Sequence, residues 1–135
     1  MSKDSAEKTE NEVRGTLSIR TLAMPADTNP SGDIFGGWLL AQMDIAGGIS
    51  AHARAGGRTA TVGIEAMTFH RPVHVGDVIC CYTDIIKTGN TSLTILVEVW
   101  VLRDQNINDR VKVTQGTFTY VAIDAEGNKR QLPPA

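Results

Sequence analysis

The chain has 135 residues, 41% of them hydrophobic, and a formal net charge of -2. That length holds one domain with a modest core. The near balance of charge excludes the broad basic face of a nucleic-acid binder.

Residues 1–13 are rich in Lys, Glu, Asp and Ser and carry almost no apolar content, so they read as a mobile tail. No basic-then-apolar leader is seen there, so no secretion is expected. The ordered domain is expected over 14–132, with 133–135 a short C-terminal tail. From Gly15 to Met24 the apolar residues Leu17, Ile19, Leu22 and Met24 alternate loosely, as in a strand. Asn29-Pro30 and Ser31-Gly32 are turn signals within a loop from Pro25 to Phe35. The paired glycines Gly36 and Gly37 then open a helix over about 36–54, and Ala55-Gly56-Gly57 ends it. This helix is apolar nearly all round, which marks a buried element rather than an amphipathic surface one. It is too short and too broken by glycine to cross a membrane. One acid, Asp44, sits in it among Met43, Ile45 and Ala46. A carboxylate in such surroundings is costly unless something pairs with it, which makes Asp44 the first candidate for function.

Four strand-like runs follow: Thr59 to Phe69, closed by His70-Arg71-Pro72; Asp77 to Lys87; Thr91 to Arg103; and Lys112 to Asp124. The short links between them favour antiparallel hairpins. One buried helix and a long antiparallel meander predict an α+β domain in which the sheet wraps the helix. An exposed apolar edge strand pairs readily with another chain, so a dimer is expected. Cys80 and Cys81 are adjacent in a strand and point to opposite faces, which argues against a disulfide and a shared metal site. A reducing cytoplasm is the expected compartment. His52, His70 and His74 form no His-x-x-x-His helical pair and join no cluster of Cys or carboxylates, so no metal is expected.

In their joint order these motifs resemble the hot-dog fold. A strand, an Asn-Pro-x-Gly loop and a Phe35-Gly36-Gly37 turn lead into a long apolar helix bearing Asp44, and four strands follow. The run from Thr61 to Phe69, then Arg71-Pro72-Val73 and Gly76-Asp77-Val78, strengthens the likeness. So does Gly89-Asn90-Thr91-Ser92 ahead of Val97-Glu98-Val99-Trp100. The likeness spans about residues 15–133 and points to the YciA-like acyl-CoA thioesterases. It implies a long central helix wrapped by a five-stranded antiparallel sheet, dimers that pair edge strands, and often a hexamer of three such dimers. It implies hydrolysis of acyl-CoA to free acid and coenzyme A, with no cofactor beyond the coenzyme A of the substrate. It also lays the pantetheine arm along Met67, Thr68, Phe69 and His70.

Thioester hydrolysis needs a polarised carbonyl, an activated water and a leaving thiolate. The first N–H groups of a helix have no internal partner and carry the positive end of its dipole. The N–H of Gly37 is therefore the expected oxyanion donor, with Gly36 shaping the turn and letting a ligand approach. Asp44 either activates the water as a general base or attacks the thioester directly. Asn29 offers an uncharged amide to hold water or carbonyl. Gly37 and Asp44 are seven residues apart, about 10 Å along a helix axis. One thioester carbon would struggle to reach both within one chain, so a composite site is expected, with Asn29 and Gly37 from one subunit and Asp44 from its partner. Gly89, Asn90, Thr91 and Ser92 could present N–H and hydroxyl groups to the nucleotide, and Arg71 and Lys87 could meet phosphate. Each has a plainer reading: Asn29 as a turn residue, Gly36-Gly37 as a helix start, Asp44 as an acceptor for a loop, Arg71 and Lys87 as solvated charges. Two other functions fit the fold. An acyl-CoA-binding sensor would need Asp44 to be inert. A hydratase usually pairs an Asp with a His early in the helix, and Gly36-Gly37-Trp38 offers none.

Overall fold

The computed structural model describes residues 12–102, 104 and 106–135. All but the last two residues of the expected N-terminal tail lie outside them. In chain order the elements are β1 (Thr16–Leu22), a short 3-10 turn (Pro25–Asp27), α1 (Gly36–Ala55), β2 (Thr59–Phe69), β3 (Val78–Thr88), β4 (Ser92–Leu102) and β5 (Arg110–Ala122). The strands form one sheet in the order β1-β3-β4-β5-β2, with every neighbouring pair antiparallel. The helix lies on one face of this sheet, the arrangement expected from the sequence.

Helix α1 buries Leu39, Met43, Ala46, Gly47, Ala51 and Ala55, a stripe at three- and four-residue spacing. Against it stand the inward residues of β4, Leu93, Ile95, Val97, Val99 and Val101, with Ile79, Cys81, Phe118 and Tyr120 from the flanking strands. The other side of the helix is not covered by the described residues: Ile45 and Ile49 are each about half exposed. The all-round apolar character of α1 thus divides in two, one face for the sheet and one left open. The edge strand β2 is similarly bare, with Val62, Ile64 and Phe69 exposed.

The topology departs from a simple meander. β3, β4 and β5 are joined as hairpin neighbours, but β2 and β3 are not paired; they lie toward opposite sides of the sheet, β2 at the edge beyond β5. The short link between them passes by the start of α1, where Val73 is buried and its carbonyl accepts the N–H of Ile34 at 3.1 Å. The short connection looked like a hairpin because link length reports only how close two strand ends are. A sheet curled round a helix brings nonadjacent strand ends together too. Within β2 the pairing slips between Glu65 and Thr68, and Ala66 sits at φ 56. This bulge turns Met67 toward β5, over Gly116, where a Cβ would collide with its sulfur.

The two cysteines do face opposite ways. Cys81 belongs to the helix-facing core, and Cys80 to a second cluster with Tyr82, Trp100 and Leu102 on the outer face. On that face the buried Glu98 accepts the Arg14 N–H at 3.0 Å, the Trp100 indole N–H at 3.0 Å and the Lys112 ammonium at 3.1 Å. These bonds fasten the start of β1 to the sheet, with Val13 packed beside them.

Candidate active site

The start of α1 is uncapped. Phe35 occupies the N-cap, and among the described residues no side chain bonds the first turn. The first helical N–H with an intrahelical partner is that of Leu39, bonded to the Phe35 carbonyl at 3.2 Å. The N–H groups of Gly36, Gly37 and Trp38 are the free donors that a helix start leaves. A Cβ on Gly36 or on Gly37 would meet nothing within 4 Å. Packing within the chain therefore does not require glycine at either position, and the surface over these amides is open.

Beside this helix start lies a cavity of about 290 Å³, lined by Ile34, Gly36 and Leu39 on one side and Phe69, His70 and Arg71 on the other. Four of the expected binding residues (Gly36, Phe69, His70 and Arg71) therefore share one hollow. Met67 faces inward and packs against the core. Thr68 contributes its carbonyl, which accepts the Thr114 hydroxyl at 2.5 Å.

Asn29 is in the loop that feeds the helix. Its side-chain oxygen accepts the N–H groups of Ser31 at 3.0 Å and Asp33 at 3.1 Å, and its own N–H bonds the Asp33 carbonyl at 2.7 Å. The oxygen thus serves the turn. The side-chain NH2 is bonded to nothing among the described residues, so the group left to meet a substrate is a donor.

Asp44 lies mid-helix and half-buried. Its Oδ1 accepts the Thr61 hydroxyl at 2.7 Å and the Tyr120 phenol at 2.9 Å; the same phenol lies 3.0 Å from the Asp44 main-chain carbonyl. Tyr120 is 1% exposed. Burial, and then the Asp44 carboxylate that accepts its bond, hold its phenol far above the ordinary tyrosine range, so it stays protonated as a donor. Gly47, one turn along from Asp44, makes room for it: a Cβ there would collide with the phenolic oxygen.

The remaining expected residues lie elsewhere. Lys87 is exposed at the end of β3. Gly89 and Ser92 close the β3–β4 turn, Gly89 N–H to Ser92 carbonyl at 2.7 Å. The Thr91 carbonyl accepts Ala122 N–H at 2.9 Å, and that of Asn90 accepts Leu132 N–H at 2.8 Å. This group adjoins the C-terminal segment and so the far end of α1, where Arg54 bonds the Pro133 carbonyl at 2.8 Å. The structure therefore does not bring the turn and the Arg71 hollow together within one chain; a 20-residue helix, about 30 Å long, runs between them.

Sequence reasoning missed Thr61 and Tyr120 as partners of Asp44. A signal existed for the tyrosine. Alternation in β5 places Phe118, Tyr120 and Ala122 on the helix side, and a buried tyrosine hydroxyl needs a partner. The only acid in α1 was the natural one.

One long helix packed against a five-stranded antiparallel sheet is the architecture of the hot-dog thioesterases. The chain matches the family model of the thioesterase superfamily over residues 31–107. It is 55% identical over 127 residues to the acyl-CoA thioester hydrolase YciA of Escherichia coli strain K12, covering 93% of this chain and 96% of that protein. The hexameric thioesterase of Yersinia pestis is 54% identical with a TM-score of 0.85, over 91% of this chain and 99% of that one. A hexameric broad-specificity acyl-coenzyme A thioesterase, solved as an aspartate-to-alanine variant, is 48% identical with a TM-score of 0.85, over 89% of this chain and 88% of that one. The chain belongs to the thioesterase superfamily, among its YciA-type acyl-CoA thioester hydrolases.

Proposed function

We propose that this enzyme hydrolyses acyl-CoA to free acid and coenzyme A in a site shared between two copies of the chain. One copy supplies the open amides of Gly36 and Gly37, the Asn29 NH2 group and the hollow beside Arg71. The partner supplies Asp44. The observation that carries this reading is the pairing of uncapped amides at the start of α1 with a half-buried acid farther along the same helix. Their separation, about 10 Å, is too long for one carbonyl carbon to span in one chain.

The carbonyl oxygen would rest on the Gly37 N–H and gain stabilisation as it becomes an oxyanion. Asp44 would then deprotonate the attacking water, or attack the carbonyl carbon itself and expel the thiolate of coenzyme A. Neither route asks for a cofactor. Arg71 in one copy, and Lys87 with the Gly89–Ser92 turn in the other, would meet the nucleotide phosphates.

The bare apolar surface supports the dimer. Val62, Ile64 and Phe69 on the edge strand β2 and Ile45 and Ile49 on the helix are the exposed groups that a two-fold pairing of β2 edges would cover. Because solved relatives are hexameric, we extend the assembly to a trimer of dimers. The buried, unpaired Cys80 and Cys81 fit a reducing cytoplasm, and no helix among the described residues is long and apolar enough to cross a membrane.

The test is a thiol-release assay across short, medium, long and aryl acyl-CoAs, run beside Asp44→Asn. The expected outcome is turnover that falls by roughly 10²- to 10⁴-fold in the variant. Tight acyl-CoA binding with no turnover by the unmodified chain would favour the binding-only reading instead.

A further inference from the structure

We infer that Tyr120 is a positioning residue for the reaction. Together with Thr61 it holds Oδ1 of Asp44, so that Oδ2 is the oxygen presented to water or thioester. The inference rests on the reading of Asp44 as the reacting acid.

Four features of the chain converge on this arrangement. The phenol and the Thr61 hydroxyl both end on Oδ1, at 2.9 and 2.7 Å, and among the described residues Oδ2 receives neither a bond nor an ion pair. The two donors are themselves locked together, because β2 and β5 pair Thr61 opposite Tyr120. Gly47 leaves the gap through which the phenol reaches the helix, and any side chain there would close it. The Tyr120 ring is fixed from behind by stacking on Phe118, with centroids 6.4 Å apart.

A carboxylate on a helix can rotate, and its two oxygens would otherwise exchange. Two donors on one oxygen stop that exchange and fix the plane of the group. Tyr120 is suited to the task because burial keeps its proton in place. It neither gives up that proton nor takes one when Oδ2 accepts the proton of water or bonds the carbonyl carbon. Its contribution is orientation alone.

The experiment measures kcat, KM and Tm for Tyr120→Phe, Thr61→Val, the double variant and Asp44→Asn. Phe keeps the ring and its packing and removes only the hydroxyl. The expected result is a fall in kcat of about 10- to 100-fold for Tyr120→Phe, with KM within about twofold. The double variant loses less than the product of the two single losses, since both donors act on one oxygen. Gly47→Ala, which pushes the hydroxyl off Asp44 from the helix side, lowers kcat in the same way. The inference is overturned if Asp44→Asn is inactive while Tyr120→Phe turns over at the unmodified rate, or if the two single losses multiply. If Asp44→Asn itself stays active, the proposed role of the acid falls, and this inference falls with it.

Discussion

The two ends of α1 are finished differently. At the C-terminal end Gly56, in the left-handed region at φ 68, turns the chain out, and the N–H groups of Gly56 and Gly57 close on the His52 carbonyl. Arg130 then reaches in to donate to the carbonyls of Ala55 at 2.9 Å and Ile123 at 3.1 Å, and Arg54 donates to Pro133. At the N-terminal end nothing comparable happens among the described residues: no side chain caps, and a Cβ on either glycine would meet open space. One end therefore has its last carbonyl met by an arginine and its turn closed by Gly56 and Gly57, and the other has neither. In the proposed mechanism the open end is where backbone donors would meet the substrate carbonyl.

The sharpest way to break this contrast is to remove a donor from the open end. Gly37→Pro deletes one N–H in the first turn, where no intrahelical hydrogen bond is lost. A fall in kcat of about 10²- to 10³-fold is expected, the loss typical of one oxyanion donor. Steady-state kinetics beside a Tm measurement would check it; an unchanged kcat would make the open end a mere helix start. The closed end should respond in the opposite sense. Arg130→Met leaves the Ala55 carbonyl of the helix without its charged donor, costing about 1–3 kcal/mol in urea unfolding, with kcat unchanged. The last effect is confined to alkaline pH and concerns the middle of the helix and its sheet. Burial, and then the neighbouring Cys80, push the Cys81 thiol from 9.0 up to about 12, and the Tyr120 phenol is raised as well. The folded state keeps these protons while the unfolded chain gives them up, so the unfolded chain binds fewer. The Cys81 contribution is therefore full below pH 9 and is lost as pH rises from 9 to about 12, by at most about 1.4 kcal/mol per pH unit, and Tyr120 adds to the decline only above pH 10. Cys81→Ala should flatten the first part of that decline in pH-dependent urea melts.

The helix was legible because its punctuation is local: Gly36-Gly37 at one end, Gly56-Gly57 at the other, and a mostly apolar run between. The strands were legible by alternation, and β2 has the bounds expected of it. The strand order was not, because the link from His70 to Asp77 carries no mark that separates a hairpin from a passage under the helix. Asp44 stood out as a charge in a greasy run, a contrast visible in one dimension. Its holders did not, since the meeting of Thr61 and Tyr120 depends on the register of β2 against β5 and of both against α1. Asn29 shows a mixed result. The turn role and the ligand role were weighed as alternatives, yet its oxygen is used by the turn while its NH2 group stays available.

The shared site is tested most directly by complementation. Chains carrying Asn29→Ala and chains carrying Asp44→Asn are each expected to be nearly inactive alone. Co-expressed with two different tags and purified through both, they would form mixed dimers in which one site has both native residues. Recovery of about a quarter to a half of the unmodified kcat is the expected result. Mixed assemblies as inactive as either parent would place Asn29 and Asp44 in the same subunit's site and contradict the account.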